Sequence, residues 1–159
     1  MTANRTEASD PDTLRYVELT RQRKARYVAS NRRGGTIDVG EGDDSAFTPV
    51  ELLLVAIAAC SAMDVDFIVG KRAEAESGSL RSSARKVRDA LGNHLVDLEV
   101  TFDLRYPEGE AGDSARAALP MAIQRSNDRL CTVSRTVQIG TPVLAAPAAS
   151  SGQSGGANG

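Results

Sequence analysis

Cysteine is the residue type in this chain best suited to covalent chemistry, and it occurs twice, at Cys60 and Cys131, 71 positions apart. A thiolate is a strong nucleophile, and in a reducing compartment two cysteines are reactive or inert thiols rather than a permanent staple. Cys60 lies inside an apolar run, where a free cysteine also serves simply as a small buried hydrophobe. Cys131 lies in the polar stretch Asp128-Arg129-Leu130-Cys131-Thr132-Val133-Ser134-Arg135. That context fits either a functional thiol or an incidental one near a helix end. Asp64 and Asp66 follow the apolar run and read as helix-surface charges, with a pocket-lining role as the alternative. His94, the single histidine, follows a Gly-Asn pair and reads as exposed. Two cysteines and one histidine cannot fill a structural zinc site, which takes four N or S ligands. No metal and no cofactor are expected.

The whole chain narrows the field further. At 159 residues, 41% hydrophobic and 25% charged, it has the size and composition of one globular domain. A net charge of −2 gives no electrostatic reason for a nucleic-acid partner or an anionic membrane. Within Arg21-Gln22-Arg23-Lys24-Ala25-Arg26, strand alternation sends Arg21 and Arg23 to one face and Lys24 and Arg26 to the other. That divides the run between two wet edges. Gly34-Gly35 reads as a turn and not a phosphate loop, because no helix start follows it. Residues 1–13 are polar and lack the apolar core of a signal peptide. The uncharged apolar stretch 52–63 has 12 residues, short of the roughly 20 that cross a bilayer. A cytoplasmic location without membrane contact is therefore expected. Residues 145–159 contain only Ala, Pro, Ser, Gly, Gln and Asn, a composition that cannot bury enough apolar surface to order itself. The expected organisation is a disordered segment at 1–13, one domain at 14–144 and a disordered tail at 145–159.

The elements that must hold the thiols are partly legible. Short runs at 14–19, 25–30 and 36–39 suggest strands in antiparallel hairpins. Thr48-Pro49-Val50-Glu51 matches a capping box with proline in the first turn, and helix formers continue to about residue 73. Between 52 and 63 this helix is apolar on every face. Such a helix must be covered all round, which asks for a second subunit as well as a sheet. A strand at 83–91 meets Gly92-Asn93, a hairpin signal. In its partner strand Val96, Leu98, Val100, Phe102 and Leu104 alternate with polar residues. A helix at 113–126, interrupted or restarted at Pro120, and a short strand at 137–139 complete an α+β order.

Pro49-Val50-Glu51-Leu52-Leu53-Leu54-Val55-Ala56-Ile57-Ala58-Ala59-Cys60 resembles the signature of the OsmC/Ohr family, in which a Pro and a Glu-Leu pair open a helix that reaches Ala-Ala-Cys. Cys131-Thr132-Val133-Ser134 is similar to the family's second motif, Cys-Pro-Val-Ser. The resemblance covers residues 14–144, closest to the branch with Pro-x-Glu-Leu-Leu-Leu. It implies an intertwined α+β homodimer, with an antiparallel sheet around a long central buried helix. It also implies a thiol peroxidase that reduces organic hydroperoxides under oxidative stress. On that pattern Cys60 is attacked first, Cys131 resolves the sulfenic acid as a disulfide, and a dithiol restores both.

The resemblance further implies an arginine and a glutamate beside the first cysteine, at the dimer interface. The glutamate's position, ten before the cysteine, holds Val50. Glu51, nine before it, is a candidate catalytic residue, although the capping box explains it without any catalysis and is the favoured reading. The arginine has five candidates: Arg21, Arg23, Arg26, Arg32 and Arg33. A non-enzymatic protein on the same scaffold, binding a small hydrophobic or electrophilic ligand at the dimer interface, is the alternative function.

Overall fold

A computed structural model describes residues 13–148. The segments expected to be disordered lie outside those residues, apart from Thr13 and residues 145–148, which are exposed and belong to no helix or strand. The order is β1 (Glu18–Arg23), β2 (Arg26–Ser30), β3 (Thr36–Val39), α1 (Pro49–Val69), β4 (Ser77–Asp89), β5 (Gly92–Arg105), α2 (Glu110–Arg125), a π-helical turn (Ser126–Leu130) and α3 (Thr132–Gln138). The fold is α+β, with two separate antiparallel sheets, β1-β2-β3 and β4-β5. The first sheet sits away from the helical core and is tied to it just before α1. There Val39 bridges Phe47, and Arg26 forms an ion pair with Asp44.

Helix α1 starts where its capping residues place it. The Thr48 hydroxyl accepts from the Glu51 backbone N–H at 3.3 Å, and the Glu51 carboxylate accepts from the Thr48 N–H at 2.7 Å. Along α1 the buried residues are Ile57, Ser61, Val65 and Val69. A spacing of four keeps them on one side of a 3.6-residue helix. Within one chain α1 is fully buried along this one stripe, against α2, β4, α3 and the π-helical turn, and the cover expected of a second subunit lies outside a single chain. Val65 and Val69 meet Tyr106, Ala115 and Ala122 in the core. Among the described residues α1 is also the one helix long and apolar enough to cross a bilayer. The 12-residue count therefore understated its apolar length. A helix packed against other elements passes the same test.

Several expectations are corrected. Strand β1 begins at Glu18, and β4 begins at Ser77, making a hairpin longer than the patterns suggested. Its turn is Ala90-Leu91, since Asp89 pairs with Gly92 and Arg88 with Asn93. Gly92 has φ of 98°, a conformation cheap only for glycine, while the Asp89 carboxylate accepts the Leu91 N–H at 2.8 Å. The β5 alternation holds from Val100 to Leu104. It fails at Leu98, which is exposed where the register slips and Asp97 takes φ of 54°. Pro120 neither interrupts nor restarts α2, which runs through it. Residues 137–139 form the end of α3 and not a strand.

Candidate functional site

Cys60 stands mid-way along α1, half-buried, one position from the buried Ser61. One helical turn later, on the same side, comes Asp64. Opposite them the chain leaves α2 through the π-helical turn, closed by the Cys131 N–H donating to the Ser126 carbonyl at 2.9 Å. Such wide turns often mark functional sites. The turn delivers Cys131 to the cap position of α3, where its sulfur accepts the Ser134 N–H at 3.3 Å and its side chain is fully buried. The result is a compact group. The Cys60 and Cys131 sulfurs and a carboxylate oxygen of Asp64 all lie within 4.8 Å of one another. Asp64 is held from behind by the fully buried Ser126, whose hydroxyl donates to Oδ2 at 2.8 Å.

The two sulfurs lie close enough to act on each other's proton, and their acidities move apart. Burial pushes the Cys60 thiol up, and the hydrogen bond with Cys131 pushes it further; the Val133 N–H opposes this, while the charge of Asp64 reinforces it. For Cys131 burial also pushes up, but donation from Cys60, from Ser134 and from Ser61 overcomes it, and the net shift is down. Of the two thiols, Cys131 is the one favoured to lose its proton first. Outward from the pair, Ser61 and Ser134 border a cavity of about 410 Å³, with Ile57, Leu98, Val100 and Phe102 on its apolar walls.

Other candidates lie elsewhere. The Glu51 carboxylate is engaged by the Thr48 backbone and hydroxyl, which hold its pKa below the usual carboxylate range. Of the five arginines, Arg26 is paired with Asp44, Arg32 lies over the Tyr16 ring, Arg21 and Arg23 are on exposed β1, and Arg33 is in the exposed turn before β3. The described groups that shift Cys60 include no arginine. His94 sits at the hairpin end beside Gly92 and Asp89. In the sequence Asp64 reads as a helix-surface charge with pocket lining as the alternative, and nothing local marks Ser126. Asp64 had one usable signal, its four-residue spacing from Cys60. Ser126 had none, because its contact with Asp64 spans 62 positions.

Residues 42–144 match the model of the OsmC-like protein family. Curated relatives from Mycobacterium tuberculosis and Mycobacterium bovis, both called uncharacterized proteins, are 35% identical over 133 residues, covering 82% of this chain and 93% of theirs. Among solved structures, an OsmC-like protein of unknown function from Vibrio cholerae superposes with a TM-score of 0.67 at 12% identity, over 77% of this chain and 92% of its own. An OsmC-like protein from Mycoplasma pneumoniae gives 0.63 at 14% identity, over 80% and 89%. At such identities the structural likeness speaks for the fold alone.

Proposed function

The chain belongs to the OsmC-like family, and from that premise we propose that it is a cysteine-dependent thiol peroxidase that reduces organic hydroperoxides. The observation that carries this reading is the pair of reduced thiols whose sulfurs lie within 4.8 Å of each other, one partly exposed and one buried. Cys60 is the sulfur a substrate can reach. Passing its proton to Cys131 makes it a thiolate, which attacks the distal peroxide oxygen. The O–O bond breaks, Cys60 becomes a sulfenic acid, and the departing alkoxide takes the proton from Cys131. The Cys131 thiolate then attacks the Cys60 sulfur. A disulfide forms, and hydroxide leaves as water with one proton from solution. Two sulfurs have lost two electrons, and the hydroperoxide has become alcohol and water. An external dithiol restores the pair by exchange. We place this chemistry in a cytoplasmic homodimer, with the apolar cavity beside the pair receiving the organic group.

The test is consumption of an organic hydroperoxide by the purified protein with a dithiol reductant. Wild type turns over and Cys60→Ser does not. Cys131→Ser is oxidised once, to a trappable sulfenic acid, without cycling. Equal consumption by wild type and Cys60→Ser, with both folded, rejects the peroxidase reading. One observation favours a second reading: the described groups acting on Cys60 raise its pKa on balance and include no cation. A thiol left in that state suits a non-enzymatic protein that holds a small hydrophobic or electrophilic ligand.

A further inference from the structure

We propose that Cys60, Cys131 and Asp64 form a binding site for one thiophilic divalent cation of the zinc class, with a fourth position open to solvent. The three ligand atoms come from two consecutive turns of α1 and from the junction before α3, and they lie within 4.8 Å of one another. Zinc bonds sulfur at about 2.3 Å and carboxylate oxygen at about 2.0–2.2 Å, so tetrahedral ligation brings two sulfurs to about 3.8 Å apart. The group reaches that geometry by closing about 1 Å or less. The residue count of the chain excludes a closed four-ligand structural site. Three protein ligands with an open position is a different arrangement, and zinc uses it wherever a further molecule must reach the metal.

Two features argue for a built site. Ser126 is fully buried and donates to Asp64 Oδ2 at 2.8 Å, which fixes the carboxylate beside the two sulfurs. Metal-bound carboxylates are held in this way, and such partners tune affinity. The Cys131 sulfur receives the Ser134 N–H at 3.3 Å, which orients it and favours its thiolate form. Donor type sets the class of ion. Two sulfurs and one oxygen suit zinc or another borderline-soft ion, and reject calcium and magnesium, which need oxygen cages. Binding displaces the thiol protons. It also excludes disulfide formation, since a disulfide has no thiolate to offer. The site needs the two thiols reduced and does not depend on the peroxidase reading.

The full-length reduced protein is titrated with Zn²⁺ against a chromophoric chelator, and with Cd²⁺ while the ultraviolet thiolate-to-metal charge-transfer band is followed. We expect one ion per chain, a Cd²⁺ band that Zn²⁺ displaces, and no binding to the disulfide-oxidised protein. Cys60→Ser should abolish binding. Asp64→Asn should weaken it at least tenfold, and Ser126→Ala several-fold, with circular dichroism confirming that each variant is folded. If reduced and oxidised wild type bind Zn²⁺ equally, or no charge-transfer band develops, the site does not exist, whatever the variants do. Unchanged affinity in folded Asp64→Asn overturns the three-ligand assignment.

Discussion

The closeness of two sulfurs changes what each cysteine can do. Alone in an apolar helix, Cys60 would be a poor nucleophile, because burial disfavours its charged form. With Cys131 in contact, the pair loses its first proton more easily and its second with more difficulty. Thiolate absorbance should therefore rise in two steps, the first below the ordinary cysteine range and the second above it. Cys131→Ser should abolish the lower step, and a single transition in wild type would refute the coupling. The Glu51 carboxylate carries a separate expectation. Its pKa in the fold lies below its unfolded value, so its stabilising contribution is present above the unfolded pKa and is lost as pH falls through the folded one. Glu51→Gln retains reach to the Thr48 N–H. Its melting temperature should stay near that of wild type at neutral pH while its acid sensitivity falls. Thr48→Ala, which removes the N-cap hydroxyl, should cost about 1 kcal/mol. If Glu51→Gln instead ends peroxidase turnover in a folded protein, Glu51 acts in catalysis.

Whether an element was legible in the sequence depended on how local its cause is. Helix α1 announced itself because a capping box is written in four consecutive residues. The β4-β5 hairpin announced itself through alternation and a glycine, although the turn fell two residues early. Its glycine takes the left-handed position after the turn rather than a place inside it. Gly92→Ala should cost on the order of 1 kcal/mol for that reason, read as a lower melting temperature. An unchanged value would mean the turn can adopt another form. Helix α3 was hidden. Val137 and Ile139 favour strands locally, but the Cys131 cap and the packing of α3 on α1 override that preference. The same division holds for the site. The two cysteines could be read as motifs, whereas their third neighbour, Asp64, is placed by a hydrogen bond to Ser126 from an element far along the chain. Pro120 looked like a break, yet the alanines of its helix still pack along one face.

At the scale of the whole molecule, α1 has two opposite faces of similar polarity and different fates. Ile57, Ser61, Val65 and Val69 are buried by the rest of the chain. Val55, Met63 and Phe67, two positions out of phase with that stripe, are 47%, 60% and 76% exposed. At 100° per residue, two positions set the second stripe about 160° from the first. The exposed stripe is thus the back of the helix, and beside it lies a cleft of about 760 Å³ bordered by Phe67, Leu80, Leu104 and Tyr106. A row of large apolar side chains exposed along a helix is rarely left open to water. A polar binding partner would leave Phe67 unsatisfied, while a second copy of the chain offers an apolar stripe of the same kind, as a two-fold interface requires. The expected assembly is a homodimer, with an interface of at least the standard size of about 1,200–2,000 Å². Sedimentation at micromolar concentration should give twice the chain mass, and the melting temperature should rise with protein concentration, as it does when folding and association are linked. Phe67→Glu should dissociate or precipitate the protein while leaving the chemistry of Cys60 and Cys131 intact in whatever remains folded. A wild-type protein that sediments as a folded monomer, with a melting temperature independent of its concentration, would leave the back of α1 exposed in solution and defeat this assignment.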